Sequence, residues 1–236
     1  MNARSLFSMF AVGMMAMTVA VSGTAVAQQP ASQPTKEPKQ EYKDKDHKDQ
    51  KRDKHDDKKA ASATIGSMAP DFELKDTDGK SYKLSDLTAA GNIVVLEWFN
   101  PDCPVVKMHY DAKTSQGIAK KYKDKKVVYL AINSGAAGKQ GAGVERNAKA
   151  RKDWSLDFPI LLDEKGDVGR MYGARNTPAL SIITKDGILA YRGAIDDGSS
   201  ESAGKVNYVA KALDEILAGS KVSTPETKAY GCSVKY

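Results

Sequence analysis

From residue 93 to residue 107 the chain reads Ile93-Val94-Val95-Leu96-Glu97-Trp98-Phe99-Asn100-Pro101-Asp102-Cys103-Pro104-Val105-Val106-Lys107. The apolar run at its start is typical of a buried central strand, and the residues after Pro104 have helical periodicity. A strand, a short proline-containing turn and a helix in this order place Cys103 at the helix N-terminus. Unpaired backbone N–H groups and the helix dipole favour a thiolate there, and the thiolate is the reactive form of cysteine.

The segments around this stretch predict an α/β fold. A short N-terminal strand, a turn with the Asp78-Gly79 signal and residues 81–84 form a predicted β-hairpin. Further strands are predicted at 92–98, 127–132, 158–162, 179–184 and 188–192, and helices at 104–123, 144–152, 166–172 and 206–218. This order predicts a central mixed sheet with helices on both faces and an antiparallel C-terminal hairpin. No regular element is predicted in the tail.

The composition along the chain predicts four parts. Residues 1–27 combine Arg4, an apolar stretch and the small-x-small site Ala25-Val26-Ala27, which predict a cleaved signal peptide. Residues 28–62 predict a disordered charged spacer, because they have almost no apolar side chain to offset the entropy of ordering. Residues 63–219 suit one domain, and residues 220–236 form a tail. We expect a periplasmic or secreted protein with no membrane span after cleavage, the alternative being an uncleaved N-terminal anchor.

The charge of the chain indicates no nucleic-acid partner. The formal net charge is +6, and residues 36–59 hold ten basic and eight acidic residues of alternating sign. A nucleic-acid-binding arm has a more one-sided charge. His47 and His55 in this run could bind a metal weakly, but a solvated spacer is the preferred interpretation. We expect no cofactor and no metal site.

Two further residues add to the signal at Cys103. Pro178 stands at the entry of an apolar strand, and a cis Thr177–Pro178 bond would turn the Thr177 backbone towards an extended partner. An ordinary trans proline is the alternative. Glu97 is an acid in an apolar strand, and burial would raise its pKa into the range that is useful for proton transfer. The alternative is a Glu97 carboxylate that reaches water or a lysine.

Taken together, these segments resemble the thioredoxin superfamily, in its redoxin and peroxiredoxin-like (AhpC/TSA-related) branch. The resemblance covers about residues 65–219 and includes Ala69-Pro70-Asp71-Phe72, Phe158-Pro159-Ile160-Leu161-Leu162-Asp163 and Lys185-Asp186-Gly187-Ile188. It implies a thioredoxin-like fold with an N-terminal β-hairpin extension. A set of proteins in this branch has an Asn-Pro-x-Cys-Pro motif and a Gly-Cys near the C-terminus, similar to 100–104 and Gly231-Cys232 here.

Only some of the family's functional residues have a counterpart in this chain. Cys103 matches the attacking cysteine of the thioredoxin Cys-x-x-Cys motif, whereas the second cysteine position is Val106. Pro178 matches the family's cis-proline, and Glu97 falls where thioredoxins carry a buried acid. The peroxiredoxin signature requires Pro and Thr at the positions that are Leu96 and Asn100 in this chain. A peroxide pocket of the known kind is therefore not expected.

The remaining candidates surround the thiol in the motif. Asn100, Pro104, Thr177 and Pro178 are expected to line a substrate groove. Lys107 and Arg175 could support the Cys103 thiolate by their positive charge, although an ordinary surface lysine at position 107 would need no role. A Cys-x5-His spacing does not direct both side chains at one metal from a helix, so His109 is the weaker candidate.

The second cysteine completes the functional prediction. In an oxidising compartment two cysteines tend to pair, and Cys232 follows Cys103 by 129 residues. Cys232 either resolves the bond that Cys103 forms, or pins the tail in a static disulfide, and a Cys103 disulfide between two chains is a third outcome. The main hypothesis is an exported thiol-disulfide oxidoreductase or antioxidant redoxin, with a protein disulfide or a peroxide as substrate and an external thiol as reductant. The alternatives are an atypical thiol peroxidase and a non-catalytic binding domain with a structural disulfide.

Overall fold

The computed structural model describes residues 62–236. The predicted signal peptide and nearly all of the predicted spacer lie outside these residues. The strands are β1 (Glu73–Asp76), β2 (Ser81–Lys83), β3 (Ile93–Trp98), β4 (Val127–Asn133), β5 (Ile160–Leu162), β6 (Asn176–Thr177), β7 (Ala179–Ile183), β8 (Leu189–Gly193) and β9 (Cys232–Ser233). The helices are α1 (Leu84–Ala89), α2 (Pro104–Asp111), α3 (Thr114–Tyr122), α4 (Val144–Asp153), α5 (Asp167–Met171) and α6 (Tyr208–Leu217).

Seven strands form one mixed sheet in the order β2-β1-β5-β4-β3-β7-β8. Strand β3 runs parallel to β4 and antiparallel to β7, and all six of its residues are buried. Such complete burial is expected for a strand whose two faces are both covered. The predicted α/β fold with a central mixed sheet is therefore confirmed, and the residues after β3 leave the sheet at its centre.

The predicted N-terminal hairpin is present and extends the sheet. Its turn is held by the Asp76 carboxylate, which accepts hydrogen bonds from the backbone N–H groups of Asp78 and Lys80 at 2.9 Å each. Gly79 takes a φ of 82°, a left-handed conformation that favours glycine. Strand β1 then pairs with β5 in antiparallel register, so the hairpin joins the sheet edge formed by β5.

Each face of the sheet has its own apolar core. Successive side chains of a strand point to opposite faces, so Val95 packs in one core and Leu96 in the other. The first core contains buried side chains of α2, α3, α4 and α6, and the second contains residues of α1 and α5. Helices therefore cover both faces, as the sequence predicts.

The predicted single helix over 104–123 is wrong in one respect, because it is two helices. Lys113 has a φ of 58° in the left-handed region and separates α2 from α3. The break reorients the chain, and both Tyr110 before it and Ile118 after it are buried in the first core. The halves on either side of the break therefore pack in the same core.

The C-terminal tail is more ordered than the sequence predicts. Val222 is buried in the first core, and the backbone N–H of Thr227 donates to the carbonyl of Arg192 at 3.1 Å. Strand β9 pairs in antiparallel register with β6 to form a separate two-stranded sheet. This pairing determines where Cys232 lies.

Candidate thiol site

Cys103 lies where β3 leads into α2. It is the N-cap residue of α2, with Pro104 as the first helical residue, a position that proline favours because no N–H partner is needed there. The backbone N–H of Cys103 donates to the Asn100 carbonyl at 3.1 Å. The side chain is only 1% exposed. The local sequence thus produces the predicted thiol at a helix N-terminus, although the thiol is covered.

The thiol of Cys232 lies against the thiol of Cys103. The two Sγ atoms lie 2.7 Å apart, and Cys103 Sγ also lies 3.2 Å from the carbonyl oxygen of Thr177. Both cysteines are free thiols in this structure. A disulfide has an S–S bond of about 2.05 Å, so a small shift of either side chain would bring the sulfurs to bonding distance.

The tail reaches Cys103 by pairing with the residues before Pro178. The Thr177–Pro178 peptide bond is cis, and Thr177 is the register partner of Cys232. The Val234 N–H donates to the carbonyl of Arg175 at 3.0 Å. The place at which the sequence predicts an extended partner is therefore filled by the chain's own tail.

The two thiols have different proton affinities. Burial raises the pKa of the Cys103 thiol, but hydrogen bonding with Cys232, with the Val106 backbone and with Thr177 outweighs burial and holds this pKa below its usual value. For Cys232, burial and the neighbouring Cys103 raise the pKa to about 11. Cys103 is therefore the group that ionises first, and Cys232 keeps its proton at neutral pH.

Glu97 is completely buried and bonded to tyrosines, not to the thiol. The hydroxyl groups of Tyr110 and Tyr129 donate to Glu97 Oε2 at 3.0 and 2.6 Å. Burial raises the pKa of Glu97 to about 7, against the opposing effect of these hydrogen bonds and of Ser115. No hydrogen bond joins Glu97 to Cys103 within the described part of the chain. A proton-transfer role of Glu97 stays a prediction.

Asn100 holds the turn before Cys103, while Pro104 only starts the helix. Asn100 is buried, and its Oδ1 accepts from the Asp102 N–H at 2.8 Å. Its Nδ2 donates to the Gln140 carbonyl at 3.0 Å, which ties the turn to the loop before α4. Pro104 is exposed. Contact of either residue with a substrate stays a prediction.

The two predicted cationic supports do not bond to the thiol. Lys107 and Arg175 are both exposed. Within residues 62–236 neither side chain makes a hydrogen bond or an ion pair. The pKa of Cys103 is lowered by hydrogen bonds at the sulfur and not by either of these charges. Their role as thiolate supports therefore stays a prediction.

A second polar cluster lies at the tail and was not predicted. The hydroxyl of Tyr230, two residues before Cys232, bonds to His109 and to the carboxylate of Asp196. Neither Tyr230 nor Asp196 stands in a periodic pattern, so the only sequence signal was the nearness of Tyr230 to the second cysteine. Within residues 62–236, no group of three or more His, Cys, Asp or Glu side chains could hold a metal ion. His47 and His55 lie outside these residues.

The chain matches a known family over most of its folded part. The model of the AhpC/TSA family matches residues 65–192, a range that includes Cys103 and Pro178 but not Cys232. A relative named thiol-disulfide oxidoreductase ResA, from Geobacillus thermodenitrificans (strain NG80-2), is 29% identical over 131 residues. That match covers 53% of this chain and 67% of the relative.

Two solved structures are similar over a larger share of the chain. An uncharacterised conserved protein from Geobacillus kaustophilus is 31% identical with a TM-score of 0.66, covering 73% of this chain and 92% of that one. A hypothetical protein from Sinorhizobium meliloti 1021 is 27% identical with a TM-score of 0.66, covering 74% and 96%. The family and the named relative support an oxidoreductase enzyme of the predicted thioredoxin-like class. The chain therefore belongs to the AhpC/TSA family.

Proposed function

We propose that this chain is an exported thiol-disulfide oxidoreductase in which Cys103 attacks the substrate and Cys232 resolves the intermediate. The observation that carries the proposal is the 2.7 Å separation of the two sulfurs at the N-terminus of α2. The depressed pKa of Cys103 and the raised pKa of Cys232 suit an attacking thiolate and a resolving thiol. The activity in the name of the ResA relative belongs to the same reaction class.

The reaction consists of two thiol-disulfide exchanges. The Cys103 thiolate attacks one sulfur of a substrate disulfide, which forms a mixed disulfide and releases the other substrate sulfur as a thiolate. Cys232 then loses its proton and attacks the Cys103 sulfur, which releases the second substrate thiol. The substrate is reduced by two electrons, and the chain is left with a Cys103–Cys232 disulfide. An external thiol must reduce this bond before the next cycle.

The proposed substrate groove contains Asn100, Pro104, Thr177 and Pro178. In this structure the tail covers the Thr177 edge of the groove, because Thr177 pairs with Cys232, and Cys103 is 1% exposed. A protein disulfide that binds as an extended strand must therefore displace β9. The backbone edge at Thr177 can pair with a strand of the substrate as it pairs with β9, because the hydrogen bonds involve only main-chain groups.

A trapping experiment tests the assigned roles of the two cysteines. The Cys232→Ser variant should stop at the mixed disulfide with a disulfide-containing protein substrate, visible as a covalent adduct by non-reducing electrophoresis and mass spectrometry. The Cys103→Ser variant should form no adduct and lose all activity. Reduction of a protein disulfide by Cys103→Ser at the wild-type rate would contradict the proposal.

A peroxidase is the second candidate function, and the nearness of a resolving thiol to Cys103 also supports it. In that reaction hydrogen peroxide oxidises the Cys103 thiolate to a sulfenic acid, and Cys232 condenses with it to give a disulfide and water. The mismatches at Leu96 and Asn100 speak against a peroxide pocket of the known kind. The test is mass spectrometry of the reduced protein, quenched within seconds of adding one equivalent of peroxide. An untouched Cys103 would remove this candidate and leave protein disulfides or a binding role with a structural disulfide.

Export to a periplasm or the medium forms part of the proposal. It is supported by the signal-like pattern of residues 1–27 and by the paired cysteines, which suit an oxidising compartment. Within residues 62–236, none of the helices combines the length and apolar character that crossing a bilayer requires. Fractionation of cells that express the chain, with N-terminal sequencing of the product, would test this localisation. Cytoplasmic protein with an intact N-terminus would contradict it.

A further inference from the structure

A cluster of three polar side chains, two of them buried and the third half-buried, lies beside the thiol pair, and the reaction proposed above does not use it. The Tyr230 hydroxyl donates to Asp196 Oδ1, and the same hydroxyl lies 3.0 Å from His109 Nε2. His109 Nδ1 lies 4.0 Å from Asp196 Oδ2. His109 is 0% exposed and Asp196 3% exposed. Burying such groups is unfavourable unless their hydrogen bonds are made. Among the described residues His109 Nδ1 has no hydrogen-bond partner, so the contact of Nε2 with Tyr230 is the one that satisfies the buried ring.

The cluster connects the two elements that carry the cysteines. His109 belongs to α2, the helix that begins directly after Cys103. Tyr230 lies in the tail, two residues before Cys232. Asp196 follows β8 and is itself fixed, because its carboxylate also accepts from the N–H groups of Gly198 and Gly204 at 2.9 and 2.8 Å. The tail is thus anchored at Tyr230 to a rigid acceptor and to the helix of Cys103.

The protons of the cluster follow from its donors and acceptors. The Tyr230 O–H donates to Asp196, so its oxygen is free to accept a hydrogen bond from the N–H at His109 Nε2. Burial lowers the pKa of His109 against the opposing charge of Asp196, which suits a neutral ring. The contact with the Tyr230 oxygen then assigns the ring proton to Nε2. Burial and Asp196 raise the pKa of Tyr230 well above its usual value, so the hydroxyl keeps its proton.

We propose that Tyr230 is a positioning residue, which holds Cys232 in line with Cys103 through its hydrogen bonds to Asp196 and His109. The inference rests on the resolving role proposed for Cys232. Resolution is an intramolecular attack, and its rate depends on how often the attacking sulfur occupies the reactive geometry. Strand β9 pairs with only two residues of β6, so the anchor at Tyr230 restricts the tail immediately before the cysteine.

A two-step exchange assay separates attack from resolution. The reduced full-length chain is mixed with one equivalent of the disulfide of nitrothiobenzoate, whose coloured thiolate is released once by Cys103 attack and once by Cys232 resolution. For Tyr230→Phe we expect the first release to be at least as fast as in the wild type, because a loosened tail also uncovers Cys103. The second release should slow roughly tenfold to a hundredfold, the range for losing a hydrogen bond to a charged group. A merely structural role would slow both phases together or neither.

Tyr122→Phe is the matched control. The Tyr122 hydroxyl also donates to a carboxylate, that of Asp214 at 2.8 Å, and to the Ala210 carbonyl at 3.0 Å. It connects α3 with α6 and does not contact the tail cysteine. Tyr122→Phe removes the same kind of group as Tyr230→Phe, a hydroxyl that donates to a carboxylate. Both phases of release should nevertheless match those of the wild type.

Two variants of His109 keep the proposal testable if Tyr230→Phe does not fold. His109→Gln retains a side-chain N–H donor and should be faster in the second phase than His109→Leu, which has none. Equal second-phase rates for the two His109 variants, or a wild-type second phase in Tyr230→Phe, would overturn the positioning role.

A last comparison separates this inference from the proposed function. Cys232→Ser should release a single equivalent of thiolate. If it releases two equivalents at the wild-type rate, the resolving role of Cys232 fails. If it stops at one equivalent while Tyr230→Phe behaves like the wild type, only the positioning role of Tyr230 fails.

Discussion

At Cys103, burial and hydrogen bonding act on the thiol in opposite directions. Burial disfavours the thiolate, whereas hydrogen bonds to the sulfur stabilise it, and the net pKa lies below the usual value. At Cys232 burial and the neighbouring sulfur act in the same direction and raise the pKa to about 11. One thiol of the pair therefore ionises readily and the other does not. This difference favours Cys103 as the attacking group and Cys232 as the group that reacts second.

Glu97 provides a prediction about stability at the residue scale. Its pKa is raised from 4.5 to about 7 by burial. Between these two values the folded chain keeps a proton that the unfolded chain has lost, so unfolding releases a proton and stability falls as pH rises. Between pH 4.5 and pH 8 this proton should lower the free energy of unfolding of the wild type by roughly 3 kcal/mol, and Glu97→Gln should lack this decrease. Urea unfolding of both proteins across this range measures the difference.

The matched control for this measurement is Glu145→Gln. Glu145 is an exposed carboxylate in the first turn of α4, so its charge is solvated in both states. Its stability difference from the wild type should not show the slope expected for Glu97. If the free energies of unfolding of the wild type and of Glu97→Gln differ by the same amount at every pH, the Glu97 proton does not contribute as described.

At the scale of elements, the two-residue pairing of β6 with β9 determines where Cys232 lies. It aligns Thr177 with Cys232. Gly231 enters this pairing with a φ of 119°, and a Cβ at that position would lie 2.2 Å from the Thr177 carbonyl oxygen. Only glycine fits a backbone that is both in this conformation and this close to its neighbour. The Gly231-Cys232 sequence is therefore required by the geometry of the strand pair.

Gly231→Ala should loosen the tail and uncover Cys103. We expect the alkylation rate of Cys103 by iodoacetamide to rise roughly tenfold or more, because strain of this kind costs about 1–3 kcal/mol. Rates are measured by mass spectrometry of the Cys103 peptide. Gly219→Ala is the control, since Gly219 has a φ of 72° and no atom within 4 Å of an added Cβ. Equal Cys103 rates in the two variants would contradict the proposed role of Gly231.

The elements also show how far the sequence predicts the fold. The apolar run of β3, the Asp-Gly turn and the strands of the sheet were predicted because local patterns define them. The break at Lys113 was missed, since the apolar periodicity continues across it and both halves pack in the same core. Strand β9 was missed because its two residues pair with a segment that is distant in sequence.

At the scale of the whole molecule, the tail is the part that completes the site. It contacts the domain at Thr227, Tyr230, Cys232 and Val234, and together these contacts cover Cys103. The sequence identified both cysteines and Pro178, but it left open whether the tail reaches the thiol. That question depends on many weak contacts along the tail, none of which has a sequence signature. The match to the AhpC/TSA family ends before the tail, so the matched residues include Cys103 but not the second thiol.

The most direct test of the account is to identify the disulfide that forms when the reduced protein reacts with a disulfide substrate. The protein is quenched with acid, its free thiols are alkylated, and peptides containing Cys103 and Cys232 are mapped by mass spectrometry under non-reducing conditions. We predict one intramolecular Cys103–Cys232 bond per chain, formed in step with the release of two substrate thiols. Reduced substrate together with a free Cys232, or with a Cys103 bond between two chains, would contradict the account.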